Sequence, residues 1–272
     1  MKLGYSKLAM EEVSVPTAIR HIADIGYDGI ELDVDSCVET GWIAGLLKNY
    51  NLRLASIGVY TEVGDDAYSR NICQLKKGID FAAELAQDDG PPPVNVGLTG
   101  IFGIEINIKA QMEPDLWKSK KHFFAERIGE LVDYAKKSGV IVAIEPGTLI
   151  MNTPDKILEL LKLVGSSHLK VNFHINESDK KTVSELIPVS VHAHVYDVSC
   201  LSEPSAPTDS RHIAESADFL KTMQAQGYDG FITATVSSLV CCRQGYDPLD
   251  AAKFAYEHMS LAFKESGVAL RP

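Results

Sequence analysis

The chain has 272 residues, of which 45% are hydrophobic and 23% are charged, as in an average folded domain. These proportions exclude disordered, collagen-like and coiled-coil proteins. The 37 acidic residues outnumber the 26 basic ones and give a formal net charge of −11, which argues against a nucleic-acid partner because phosphate binding needs a basic surface.

Short apolar runs alternate with longer amphipathic stretches along the chain, and Gly26, Gly139 and Gly227 stand where helices would end. In chain order, the predicted elements are strand 2–5, helix 15–25, strand 29–32, helix 41–50, strand 52–57, helix 66–86, strand 94–98, helix 114–138, strand 140–144, helix 154–164, strand 169–173, helix 179–186, strand 189–195, helix 212–225, strand 231–236 and helix 248–265.

Strands that alternate with helices predict parallel pairing with helical crossovers. Dividing 272 residues among eight strand–helix units gives 34 residues each, which favours a closed (β/α)8 TIM barrel as a single domain over residues 1–272. The chain has neither a GxGxxG sequence opening a helix after an early strand nor a P-loop motif, so nucleotide-binding folds lose support.

The five cysteines, Cys37, Cys73, Cys200, Cys241 and Cys242, are odd in number and form no CxxC pair. A disulfide framework or structural zinc site is therefore not expected, and the adjacent Cys241 and Cys242 are predicted to be buried free thiols. The first residues lack a signal-peptide pattern, and no apolar run approaches the roughly 20 residues of a membrane helix. We expect a cytoplasmic protein without a membrane partner.

Chemistry in a TIM barrel takes place at the carboxyl ends of the strands, so ionisable residues there are the candidates. Glu31 ends the second predicted strand, Glu145 the fifth and His174 the sixth; His192 and His194 lie in the seventh, and Glu177 and Asp197 follow the sixth and seventh. The eighth strand offers Thr233 and Thr235 but no acid.

Glu145 is the most informative of these residues because it follows the continuous apolar run Val140–Ile144. A carboxylate there is costly unless it is paired, hydrogen-bonded or bound to a cation. Glu145, His174 and His194 come from neighbouring strands and could form a two-histidine, one-carboxylate site for Mn, Co, Zn or Fe rather than Mg. The alternatives are a structural ion pair for Glu145 and hydrogen-bonded core positions for the histidines. Glu31 could equally be a solvated or paired residue at the barrel rim instead of a ligand contact, and Asp197 could cap or hydrogen-bond a loop.

Four stretches carry a resemblance to the xylose isomerase-like TIM-barrel superfamily, the sugar phosphate isomerase/epimerase group, which is distantly related to endonuclease IV. The stretches are Ile25–Leu32, Val142–Pro146, His192–Val198 and Gly227–Ile232. The resemblance spans nearly the whole chain and is specific for the superfamily rather than for a substrate.

The resemblance implies one divalent metal held by Glu, Asp, His and Glu from strands five to eight. Glu145 matches the first Glu and His194 the His, whereas His174 stands at the Asp position, Glu177 at a nearby family His and Thr235 at the last Glu. Epimerases of this group use the two Glu residues as a proton-transferring pair, and a threonine hydroxyl cannot replace one as a base near neutral pH. One-base chemistry could remain, Glu177, Glu31 or Asp197 could supply the missing group, or catalysis could be lost.

These residues favour an enzyme, a sugar, keto or polyol isomerase, epimerase or lyase with one metal at the barrel mouth and a small sugar-like substrate. Glu145 and Glu177 are the candidate catalytic residues, and the candidate substrate contacts are Glu31, His192, Asp197, Arg211 and Thr235. The alternative is a non-catalytic carbohydrate-binding barrel that has lost the eighth-strand Glu. A DNA-repair nuclease is disfavoured by the net charge, and a homo-oligomer is left open.

Overall fold

Eight parallel strands close into a barrel in chain order in the computed structural model of the chain. The strands are β1 (Lys2–Ser6), β2 (Gly29–Asp33), β3 (Arg53–Val59), β4 (Val94–Gly97), β5 (Val142–Glu145), β6 (Leu169–His174), β7 (Ser190–Tyr196) and β8 (Phe231–Thr235). The structure describes residues 1–36, 39–59, 67–98, 101, 109, 112–113, 115–146, 150–175, 180–196 and 210–270. The predicted (β/α)8 barrel is confirmed.

In the described part of the chain, eight helices of seven residues or more surround this barrel. They are α1 (Val15–Ile25), α2 (Thr40–Asn49), α3 (Ala67–Glu84), α4 (Leu116–Lys136), α5 (Pro154–Val164), α6 (Lys180–Leu186), α7 (Ser210–Ala225) and α8 (Pro248–Ser266). Short helical turns occupy Lys7–Met10, Val34–Ser36, Ile187–Val189 and Ser238–Cys241. None of the helices in the described part of the chain has the length and apolar character needed to cross a membrane.

The turn between α1 and β2 shows how the sequence ends one element and begins the next. Gly26 has a φ of 110°, a conformation that suits glycine, and its N–H donates to the carbonyls of Ile22 and Ala23. Asp28 Oδ2 then accepts a hydrogen bond from the backbone N–H of Leu3 at 2.7 Å. This turn therefore aligns the start of β2 beside β1.

The apolar core lies between the strands and the helices, whereas the barrel interior is polar. Ile30 and Leu32 are fully buried on either side of Glu31 and, by strand alternation, face the helices. The buried polar residues of the strands are Ser6, Glu31, Ser56, Asn95, Asn172, His192, His194, Thr233 and Thr235. Bulky branched side chains usually fill such an interior, so its polar content marks it as a place for chemistry or for fixed hydrogen bonds.

Two predictions about local structure are wrong. β2 continues to Asp33, so Glu31 lies within the strand instead of ending it. Cys242 is exposed and Cys241 only partly buried, because both follow β8 in the segment that precedes α8, outside the core. Cys73 is an exposed free thiol as well, and Cys37 and Cys200 lie outside the described residues.

We expect Asp247→Ala to lower the free energy of unfolding by about 1 kcal/mol, because the Asp247 side chain accepts hydrogen bonds from the N–H groups of Leu249 and Asp250 at the start of α8. Urea unfolding followed by circular dichroism measures the change. Asp247→Asn, which keeps an acceptor, should stay close to the wild type. Equal losses in the two variants would contradict this role of the cap.

Candidate active site

A buried hydrogen-bond network centres on the carboxylate of Glu31, a residue that is 1% exposed. Its Oε1 accepts from Ser6 Oγ at 2.8 Å, and its Oε2 accepts from Ser56 Oγ at 2.5 Å and Asn95 Nδ2 at 2.6 Å. His194 Nε2 lies 3.0 Å from the same Oε2. Donors from β1, β3, β4 and β7 thus converge on one residue of β2, so Glu31 is paired inside the barrel and is not a solvated rim residue.

Glu31 and His194 form an ion pair when the His194 ring is protonated. Burial alone would raise the pKa of Glu31, but the charge of His194 and the hydrogen bonds from His194 and Ser56 outweigh it, and the pKa lies well below its usual range. Burial would likewise lower the pKa of His194, yet Glu31 and Glu145 raise it above the ordinary value. The ionised carboxylate can only accept a hydrogen bond, so Nε2 of His194 carries the proton between them.

His192 lies two residues deeper along β7 and is fully buried. Its Nε2 is 3.4 Å from Ser56 Oγ and 3.8 Å from Glu31 Oε2. Burial and the neighbouring charge of His194 lower its pKa to about 3. His192 is therefore a neutral member of the network, in the position of a hydrogen-bonded core histidine.

Above this network, at the carboxyl ends of β5, β6 and β7, the structure brings together the three residues predicted as metal ligands. His194 Nδ1 is 3.4 Å from Glu145 Oε1, and His174 Nε2 is 3.9 Å from Glu145 Oε2. The two imidazole rings stack with centroids 5.7 Å apart. The side chains of Glu145 and His174 are 22% and 13% exposed, so this end of the cluster opens to the barrel mouth.

Two groups among the described residues have donor atoms close enough to hold a cation, and they share His194. In the group of Glu31, His192 and His194, the carboxylate already accepts from several donors, which a cation would have to displace. In both groups the atoms lie within 4.8 Å of one another, but the group of Glu145, His174 and His194 has two partly exposed members at the mouth. The second group therefore fits a metal better, and two imidazoles with one carboxylate suit Zn, Mn, Co or Fe.

Asn172 adds a polar group to this second cluster. Its Nδ2 is 3.0 Å from Glu145 Oε1 and 3.2 Å from His194 Nδ1. Its buried Oδ1 has no hydrogen-bond partner among the described residues. Buried polar atoms are usually satisfied, so an orphaned oxygen beside a carboxylate and an imidazole is consistent with a bound cation or ligand.

Thr235 ends β8 and is buried next to Tyr196 in the strand register. The Tyr196 ring lies 4.8 Å from that of His174. The described wall of the mouth therefore carries a hydroxyl at the position where the resemblance places a second glutamate.

The structure does not place the three remaining predicted site residues in this cluster. Arg211 is an exposed residue in the first turn of α7. Glu177 and Asp197 lie outside the described residues. Their roles stay predictions.

Sequence reasoning missed Ser6, Ser56, Asn95 and Asn172. A signal was present for three of them, since Ser56, Asn95 and Asn172 each stand between two apolar neighbours in a predicted strand. In a barrel such a position faces inward when its neighbours face the helices.

A model of one protein family, described as xylose isomerase-like TIM barrel, matches residues 19–257. The chain belongs to this family. The sequence resemblance is thereby confirmed. No curated protein sequence matches the chain significantly.

Solved structures of this architecture align over nearly the whole chain. A D-psicose 3-epimerase crystallised with D-fructose has a TM-score of 0.72 and 17% identity, covering 98% of this chain and 100% of its own. The 3-keto-D-glucoside 4-epimerase YcjR from E. coli has a TM-score of 0.72 and 17% identity, and the alignment covers 97% of this chain and 99% of its own. An L-ribulose 3-epimerase has a TM-score of 0.72 and 17% identity, and the alignment covers 98% of this chain and 95% of its own. At these identities the similarity establishes the fold.

We expect Glu31→Ala to lower the free energy of unfolding of the metal-free protein by about 3–5 kcal/mol, the usual cost of removing one partner of a buried ion pair. Chemical denaturation measures the loss. Glu145→Ala is the matched control, because it removes a partly exposed carboxylate from the other side of His194 and should cost far less. A Glu31→Ala loss no larger than that of Glu145→Ala would contradict the structural role of Glu31.

Proposed function

We propose that the chain is a divalent-metal-dependent enzyme that isomerises a small sugar or a related polyhydroxy carbonyl compound. The observation that carries the proposal is the partly exposed cluster of Glu145, His174 and His194 at the mouth of a xylose isomerase-like barrel. Sugar epimerases with the same fold support a sugar-like substrate. The location also agrees with the rule that TIM-barrel chemistry occurs at the carboxyl ends of the strands.

Glu145, His174 and His194 would hold the metal, with Mn, Co, Zn or Fe preferred over Mg because imidazole is a softer ligand than carboxylate or water. When bound, such a metal would supply Lewis-acid polarisation of a carbonyl oxygen and would so acidify the adjacent C–H. Glu145 supplies the carboxylate of the cluster at the barrel mouth, and we assign it the additional role of general base. Its exposure leaves one side of the group accessible from the mouth.

Proton transfer by one carboxylate limits the reaction type. Epimerisation inverts a carbon and needs a proton donor on the face opposite the base, whereas 1,2-isomerisation can return the proton on the same face to the neighbouring carbon. Thr235 cannot act as that second acid–base group, because its hydroxyl pKa is far too high. One-base isomerisation, or elimination as a lyase, therefore fits the described site better than two-base epimerisation, and Glu177 remains the candidate for a further catalytic group.

Substrate hydroxyls would meet a polar wall at the mouth. Thr235 offers a hydroxyl to a sugar chain, and we retain Asp197 and Arg211 as proposed contacts from the segments around α7. Glu31 and His192 lie behind His194, so a substrate at the mouth would be influenced by them through that ring rather than by contact.

Metal binding can be measured by isothermal titration of the metal-free protein with Co²⁺ and Mn²⁺. We expect binding by the wild type and at least about tenfold weaker binding by Glu145→Gln and His174→Gln, since each loses a ligand. Thr235→Glu should strengthen binding by adding a carboxylate at the mouth, whereas the isosteric control Thr235→Gln should not. A wild-type protein that binds neither ion would contradict the proposal.

Proton transfer can be followed by NMR with a panel of ketoses in D2O in the presence of Co²⁺ or Mn²⁺. We expect aldose formation from at least one ketose, with deuterium entering the reacting carbon to the extent that Glu145 exchanges with solvent. Glu145→Gln should lower the rate by a factor of about 10²–10⁴, the usual contribution of a general base. Formation of the 3-epimer as the sole product would contradict one-base isomerisation.

The second candidate is a non-catalytic carbohydrate-binding barrel, which Thr235 favours because a group required for two-base catalysis is absent from β8. Binding of sugars with equal affinity by the wild type and Glu145→Gln, together with no turnover, would favour this candidate. A large loss of affinity in Glu145→Gln would count against it.

A further inference from the structure

The two ring nitrogens of His194 face different surroundings. Nε2 points into the barrel and lies 3.0 Å from Glu31 Oε2. Nδ1 points to the mouth, 3.4 Å from Glu145 Oε1 and 3.2 Å from Asn172 Nδ2. One imidazole therefore connects the buried network with the exposed cluster, and the atom that carries its proton determines which nitrogen can bind a metal.

Glu31 is held in place by groups other than His194. Ser6 donates to Oε1, and Ser56 and Asn95 donate to Oε2, from three different strands. The carboxylate cannot rotate without breaking these bonds. Its Oε2 is therefore a fixed acceptor for an N–H at the Nε2 position.

A fixed acceptor at Nε2 leaves Nδ1 as the unprotonated nitrogen when the ring is neutral, with its lone pair directed toward the mouth and the nearby Asn172 Nδ2. Metal-bound histidines commonly donate their other N–H to a carboxylate, which sets the tautomer and the ring orientation. Glu31 is placed as such a carboxylate, 3.0 Å from Nε2 of His194. Glu145 of the mouth cluster lies on the opposite edge of the ring, beside Nδ1.

We propose that Glu31 is a positioning residue, which holds the Nε2–H of His194 so that Nδ1 faces Glu145 and His174 as the metal-binding atom. The metal-binding part rests on the proposed function, whereas the tautomer and ring orientation do not. The same contacts disfavour Glu31 itself as a ligand, because a cation at Oε2 would have to displace the donors Ser56, Asn95 and His194.

The first experiment is 15N NMR of metal-free protein labelled at histidine, at a pH where the His194 ring is neutral. His194→Gln identifies the signal. We expect the Nε2–H tautomer, with an N–H proton that exchanges slowly with water. A neutral ring protonated at Nδ1, or a rapidly exchanging Nε2–H, would overturn the proposal. Because no metal is present, failure of the proposed function would leave this result unaffected.

The second experiment compares Glu31→Gln, Glu31→Ala and Ser6→Ala. Gln keeps an oxygen that can accept from Nε2, so Glu31→Gln should preserve the tautomer and the slow exchange. Glu31→Ala removes the acceptor and should speed N–H exchange and weaken Co²⁺ binding by about 10–100-fold. Ser6→Ala removes a donor to the other oxygen and should leave both measurements near the wild-type values.

The Glu31→Gln variant also keeps the proposal testable if Glu31→Ala does not fold, since loss of the Nε2–H tautomer in Glu31→Gln would then overturn it. A folded Glu31→Ala protein with unchanged N–H exchange and unchanged Co²⁺ affinity would overturn it too. If the wild type shows the expected tautomer but binds no metal, the proposed function is contradicted and the positioning role of Glu31 remains.

Discussion

The buried carboxylate of Glu31 is the constraint on which the interior of this barrel depends. A carboxylate taken out of water costs several kcal/mol unless charge and hydrogen bonds compensate it. Here Ser6, Ser56, Asn95 and His194 supply the compensation from four other strands. These bonds join five strands through the barrel interior, where aliphatic side chains would otherwise pack.

The polar interior divides into two levels that share His194. The deeper level is closed, its carboxylate is ionised and its His192 is neutral, so it resembles a structural core. The upper level, with Glu145, His174 and the unpartnered oxygen of Asn172, is open to the mouth. Access from the mouth is what a site for a ligand requires, and it explains why we assign chemistry to the partly exposed Glu145 and support to the buried Glu31, although both are carboxylates within the same barrel.

The barrel and the upper level could be predicted from sequence because each depends on local pattern. Glycine-terminated helices alternating with apolar runs predict parallel strands, and Glu145 and His174 directly follow such runs, so the carboxyl ends of neighbouring strands bring them together. The deeper level could not be predicted in the same way. The predicted strand 29–32 ends one residue before β2 does. The position of a residue along a strand also does not reveal how deep it lies in a barrel with staggered strands. The partners of Glu31 are 25, 64 and 163 residues away, so only the closed barrel shows that they meet.

The most direct test of this account is anomalous scattering from crystals of the protein soaked with Co²⁺, measured at the cobalt absorption edge. The account predicts one interior peak, in contact with Glu145, His174 and Nδ1 of His194, with the hydrogen bond between His194 Nε2 and Glu31 retained. An interior peak between Glu31 and His192, or an interior without cobalt at full soaking, would contradict it.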